Sequence, residues 1–164
     1  MRLPAHWQTA GILLGAWWCG AHVTDDPEGA AVTFVVPGAT APGVAATVSL
    51  DPMGRDLGGT TATMIDFVAE ARLHGDDFFG SPVDGSTPAL GRSTVDEVLT
   101  AARMVGLAPG TRLLSTRDWT VPQGILAALL APLVVGGSLV QITNADPARL
   151  DAHRSTERTT ADLL

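Results

Sequence analysis

The chain has 164 residues, 46% of them hydrophobic and 16% charged, with a formal net charge of −7. A mean hydropathy of +0.24 and a pI near 4.8 fit a globular α/β protein and exclude a disordered one. An acidic chain without a basic stripe also argues against nucleic acid and anionic membrane surfaces as partners. All 10 basic residues are arginines, so no lysine is present to grip a phosphate or form a Schiff base.

The first element is the apolar run from Ala10 to Ala21. It is too short for a transmembrane helix, which needs about 20 apolar residues. It suits either a buried helix, with Gly11, Gly15 and Gly20 allowing close packing on a sheet, or the core of a secretory leader. Arg2 and Cys19-Gly20-Ala21 favour the leader; Pro4, His6 and the paired Trp17 and Trp18 count against it. Cys19 is the lone cysteine, which excludes an intrachain disulfide and suits a cytoplasmic protein.

Two valine- and threonine-rich runs, Ala31 to Val36 and Val44 to Leu50, flank the turn PGATAPG and read as buried strands. The spacing of Met64, Ile65, Val68 and Leu73 predicts a helix over 60–75, capped by a threonine and closed by Gly75. The irregular stretch 74–92 predicts a flexible linker between two halves of a single α/β domain spanning 1–164.

Ser93-Thr94 followed by Asp96-Glu97 forms a capping box for the next helix, which Gly106 ends. Strand Thr111–Thr116, an apolar helix bent at Pro132, strand SLVQIT, a helix with Asp146 as N-cap and Pro147 at N1, and a last strand in TTADLL follow. Strands alternating with crossover helices predict a mainly parallel sheet flanked by helices.

Candidate chemistry is sparse. The segment Leu57 to Met64 could turn backbone N–H groups toward a phosphate, but without lysine a plain helix cap explains it as well. His74, Asp76 and Asp77 place an imidazole near two carboxylates, but no second histidine stands at helical spacing. Neither a Gly-x-Ser-x-Gly motif nor a basic frame around the tryptophans is present. Asp118 and Trp119, beside Arg117, follow a strand at its carboxyl end, where parallel sheets bind ligands.

The order GLAPGTRLLST, GILAALLAPLVVGGSLVQI, DPARL and ERTTADLL resembles the N-terminal domain of adenylate-forming enzymes, the AMP-dependent synthetases and acyl-CoA synthetases. HWQTAGILLGAWWCGAHVT is similar to an early helix of that family. LPAHWQTAGILLGAWWCGA with LDPMGR and HGDDF also resembles a group of short actinobacterial proteins related to it. The resemblance implies part of that N-terminal domain, a pocket for ATP, AMP or an acyl group, and a small-molecule or protein partner.

The departures bear on activity. Where the family has a lysine-bearing glycine-rich loop, this chain reads VDGSTPALGR, and no catalytic residue of the family carries over. The resemblance therefore implies a cytoplasmic relative without ligase chemistry. The alternative is an active ligase whose phosphate contacts come from Arg92 and the backbone N–H groups of Gly85, Ser86 and Thr87. A secreted α/β domain with a cleaved leader is a third reading. The family pattern also places a strand before Arg2, and a sheet edge open at that point would favour homo-oligomers.

Overall fold

The computed structural model describes residues 3–59 and 64–164. The chain divides into two compact units, Met1–Val83 and Asp84–Leu164. The boundary falls inside the stretch 74–92.

In the first unit, helix α1 spans Trp7–Trp18. Its N-cap is His6, whose Nδ1 accepts from the Gln8 N–H at 3.2 Å. The Thr9 hydroxyl donates to the Pro4 carbonyl at 2.8 Å and ties the incoming chain to the first turn. Ile12 and Leu13 are buried while Leu14 and Trp18 are exposed, so one side of this apolar helix faces the unit's core. Gly11 and Gly15 differ from expectation: a Cβ at either position would meet nothing within 4 Å, so neither mediates close packing. Gly20 has a different task, ending the helix region in the left-handed conformation at φ 73°.

Strands β1 (Thr33–Val35), β2 (Ala45–Thr47) and β3 (Ile65–Asp66) form a parallel sheet in that order. Leu3, Ile12 and Val48 make its core, with Phe34, Val36, Leu50 and Phe67 packed against them. The Phe34 and Phe67 rings meet edge to face at 5.7 Å.

The helix expected over 60–75 is here much shorter. Residues 60–63 lie outside the described residues, Ile65 and Asp66 are strand, and helix α2 covers only Phe67–Ala71. The cap is Asp66, whose Oδ1 accepts from the Val68 and Ala69 N–H groups. An aspartate next to a β-branched residue favours ending a strand and starting a helix over continuing one. Gly75 closes nothing, since the helix has already ended at Ala71.

The second unit opens on an antiparallel pair, β4 (Pro88–Leu90) and β5 (Ser93–Thr94), within and just beyond the stretch 74–92. Helix α3 (Val95–Met104) follows with the expected capping box: the Thr94 hydroxyl accepts from Glu97 N–H, and the Glu97 carboxylate accepts from Thr94 N–H. Val98 and Ala102 are its buried positions.

Strands β6 (Arg112–Ser115), β7 (Ser138–Gln141) and β8 (Ala161–Leu163) form a second parallel sheet in the order β7-β6-β8. Helices join them, as the alternation predicts. Arg112 clamps this sheet: its guanidinium donates to the Glu157 carboxylate and carbonyl, both at 2.6 Å, and to Ser138 Oγ at 3.3 Å.

The apolar helix between β6 and β7 departs from expectation. Ile125–Leu130 is π-helical and passes into helix α4 (Ala131–Val134). Pro132 has no N–H to offer the Ala128 carbonyl, and its ring crowds that carbonyl in an α-helix. The wider turn ahead of it, closed by Ala131 N–H on the Leu126 carbonyl, replaces the expected bend. A 3₁₀ turn, Pro147–Arg149, capped by Asp146 leads into helix α5 (Leu150–Glu157). Arg154 then donates to Asp162 and Asp151, joining α5 to β8.

Candidate functional site

Because β6, β7 and β8 are parallel and in register, their carboxyl ends coincide at Ser115, Gln141 and Leu163. The loop leaving β6 is fastened over this edge. Ser115 Oγ accepts from Arg117 N–H at 3.1 Å, and Gln141 bridges two further points of the loop. Its Nε2 donates to the Arg117 carbonyl at 3.1 Å, and its Oε1 accepts from Trp119 Nε1 at 3.2 Å.

Trp119 is therefore buried with its only donor engaged, a strut under the loop. Arg117 and Asp118 are exposed on top, and neither makes an ion pair among the described residues. Gly124 lets this loop close: a Cβ there would overlap the Asp118 carbonyl oxygen.

Gly91, at the β4–β5 turn, brings the neighbourhood of Arg92 to the same region, since a Cβ on Gly91 would lie 3.6 Å from the Pro122 ring. Arg92 is exposed and also without an ion pair among the described residues.

Gly85, Ser86 and Thr87 sit in a turn closed by Asp84. The Asp84 carboxylate accepts from the Ser86 N–H at 2.8 Å and from its hydroxyl, and the Asp84 carbonyl accepts from Thr87 N–H. These Ser86 contacts hold the Asp84 carboxyl below the usual aspartate range. Asp96 lies against the same turn: its N–H donates to the Gly85 carbonyl, and a Cβ on Gly85 would overlap its carboxylate. The N–H groups of Ser86 and Thr87 are thus already engaged, and two carboxylates stand where a phosphate would approach.

Of the histidines weighed in the sequence, His74 lies 3.7 Å from Glu70 at the exposed end of α2. Among the described residues no group of three or more His, Cys, Asp or Glu could hold a metal ion.

A further site feature lies in the first unit and has no counterpart in the sequence reading. A cavity of about 460 Å³ opens between the second half of α1 and the segment running into β1. Its floor is Ile12, Leu13, Val23 and Thr33, all buried. Its mouth carries His22, Asp26 and Glu28, all exposed. The Thr33 hydroxyl is buried without a hydrogen-bond partner among the described residues. Buried hydroxyls are usually paired, so an orphan in a cavity wall marks a place where stability has not been optimised. No local motif reveals this cavity, because most of the residues that line it, all between Ile12 and Phe34, are plain apolar ones.

Both units are α/β: each sets helices beside a parallel sheet, and in the second unit helices also join the strands. The particular family follows from one relative. A "TIGR03089 family protein" of Mycobacterium tuberculosis (strain ATCC 25618 / H37Rv) is 38% identical over 176 aligned positions, which cover 98% of this chain and 72% of that protein. The chain belongs to the TIGR03089 family.

No protein-family model matches the chain, and no solved structure matches it. The resemblance to adenylate-forming enzymes is thereby corrected: the relative found is a TIGR03089 family protein, and no adenylate-forming model matches. The physical reason is that its motifs are general. A glycine after a helix, a turn, an apolar strand and a Pro-capped helix recur wherever parallel strands are joined through helices. What stands is the α/β fold with mostly parallel sheets flanked by helices.

Proposed function

We propose that this chain binds a small apolar molecule, or the acyl portion of a larger one, in the cavity of its first unit. The observation that carries this reading is the cavity itself, about 460 Å³ over a floor of Ile12, Leu13 and Val23. That volume falls within the range of about 300–1,000 Å³ usual for small-molecule sites. Apolar floors of this kind gain affinity from each methylene removed from water, about 0.8 kcal/mol apiece. Nucleic acid stands outside the reading, since the chain carries a net charge of −7.

A nucleotide is the second reading, and Arg117 and Arg92 favour it: both are exposed and unpaired among the described residues, near the carboxyl ends of β6 and β7. The turn at Gly85 to Thr87 opposes it through Asp84 and Asp96.

Thermal denaturation of the intact chain with 1-hexanol or ATP separates the two. Hexanol at 100 times its dissociation constant should stabilise the protein by about 2.7 kcal/mol. The cavity-filling variant Ala16→Phe, on a lining residue of α1, should abolish that gain and leave any response to ATP intact. Saturable stabilisation by ATP alone would move the site to the second unit, and no response to hexanol would remove the cavity reading.

A further inference from the structure

We infer that the cavity of the first unit selects cationic amphiphiles: an apolar body on the floor of Ile12, Leu13, Val23 and Thr33, and a protonated amine between the carboxylates of Asp26 and Glu28 at the mouth. The inference rests on the cavity being a binding site, as proposed above, and adds the chemistry of the head group.

The lining is asymmetric in charge. Among the described residues it contains two carboxylates and no arginine. Asp26 is held in position: one carboxylate oxygen accepts from the Glu28 N–H at 2.9 Å, and the Asp26 N–H donates to the Thr24 hydroxyl at 3.1 Å. This turn sets the Asp26 and Glu28 side chains at one rim. Neither carboxylate makes an ion pair among the described residues.

A carboxylate or phosphate head would enter against these like charges, whereas an ammonium would be attracted by both. The lining also carries His22, and the comparison is made at about pH 8, where an alkylamine stays protonated. At the floor, the unpartnered Thr33 hydroxyl offers no charge and does not alter this preference.

The magnitude is modest because the rim is exposed. Two unit charges about 4 Å apart in water interact by roughly 1 kcal/mol, equivalent to about fivefold in affinity, and added salt screens this.

The test titrates the intact chain at about pH 8 with hexylammonium, 1-hexanol and hexanoate, which share one apolar body. Hexylammonium should bind about fivefold or more tighter than hexanoate, with hexanol between them. The gap should shrink in high salt and close in the double variant Asp26→Asn with Glu28→Gln, while hexanol affinity stays unchanged. The Asp26→Asn change retains a side-chain oxygen able to accept from the Glu28 N–H, so the turn is preserved. Equal binding of the three probes, or tighter binding of hexanoate, with Ala16→Phe still blocking hexanol, overturns the head-group inference and leaves the cavity reading standing. Failure of all three probes to bind overturns both.

Discussion

Asp66 offers the sharpest test of how the first unit is held together. Its side chain is buried, at 2% exposure, with no cation paired to it among the described residues. The carboxylate is held instead by three backbone N–H groups: Val68 at 3.0 Å and Ala69 at 3.3 Å on Oδ1, and Leu57 at 2.7 Å on Oδ2. One oxygen thus starts α2 while the other fastens a loop nine positions earlier. In Asp66→Ala, losing the helix cap costs about 1 kcal/mol. Leaving the half-buried Leu57 N–H without its charged acceptor costs about 1–3 kcal/mol. Releasing a desolvated carboxylate returns part of this, so the net loss should be about 2–3 kcal/mol. Asp66→Asn keeps one acceptor but turns an NH₂ toward the other donors, and should lose most of that amount. Urea denaturation gives the stability change, and amide hydrogen exchange locates it, with protection falling at Leu57 and Val68 first. A loss below about 0.5 kcal/mol for Asp66→Ala, within the range of ordinary surface substitutions, or unchanged protection at Leu57, would refute this account of the carboxylate.

Three further outcomes are expected. Gln141→Leu should destabilise the second unit by about 1–2 kcal/mol, because the buried Trp119 indole N–H loses its acceptor; near-ultraviolet circular dichroism should report the loosened indole, and an unchanged spectrum would count against the strut. Thr33→Val should stabilise the unliganded chain by about 1 kcal/mol by removing an orphan buried hydroxyl, so a loss in its melting temperature would mean the hydroxyl is satisfied in solution. His6 makes stability depend on pH: burial lowers its pKa below the ordinary 6.5, with Asp51 opposing, and its Nδ1 caps α1 as an acceptor. The unfolded chain then binds the proton more readily, so the contribution of His6 is complete above about pH 6.5 and is lost as pH falls through the lowered value. His6→Asn keeps a capping oxygen without the titration, and its stability should fall less than that of the wild type between about pH 7 and 5.

How far the sequence reveals this structure depends on whether the governing contacts are local. The capping box at Thr94 and Glu97, the Asp146 cap with Pro147, and the strands around Leu113 and Val140 are legible because each depends on neighbours within a few positions. The helix expected over 60–75 fails because a local competitor, Asp66, is claimed by a distant partner, Leu57 N–H. The same holds at the site. Asp118 and Trp119 do lie at a strand end, but the residue that fastens them, Gln141, comes from the next strand, and nothing in its own neighbourhood announces it. Thr33 reads as an ordinary β-branched strand residue until the cavity beside it is seen. Gly85 to Thr87 looks open as a string of small residues, and the carboxylates that close it become visible only when the turn is folded.

The π-helical segment Ile125–Leu130 also bears on how the gene can change length. Each of its hydrogen bonds spans one residue more than an α-helical bond, so the segment stores one surplus residue between Gly124 and Pro132. Deleting a single codon there would let the backbone tighten to an α-helical frame while β6 and β7 keep their register. The same deletion within Leu113–Ser115 would shift the register and move every later side chain of the strand to the opposite face of the sheet. Single-residue gaps between relatives should therefore gather at this helix, in one of the most buried parts of the unit, where length variation is otherwise rare.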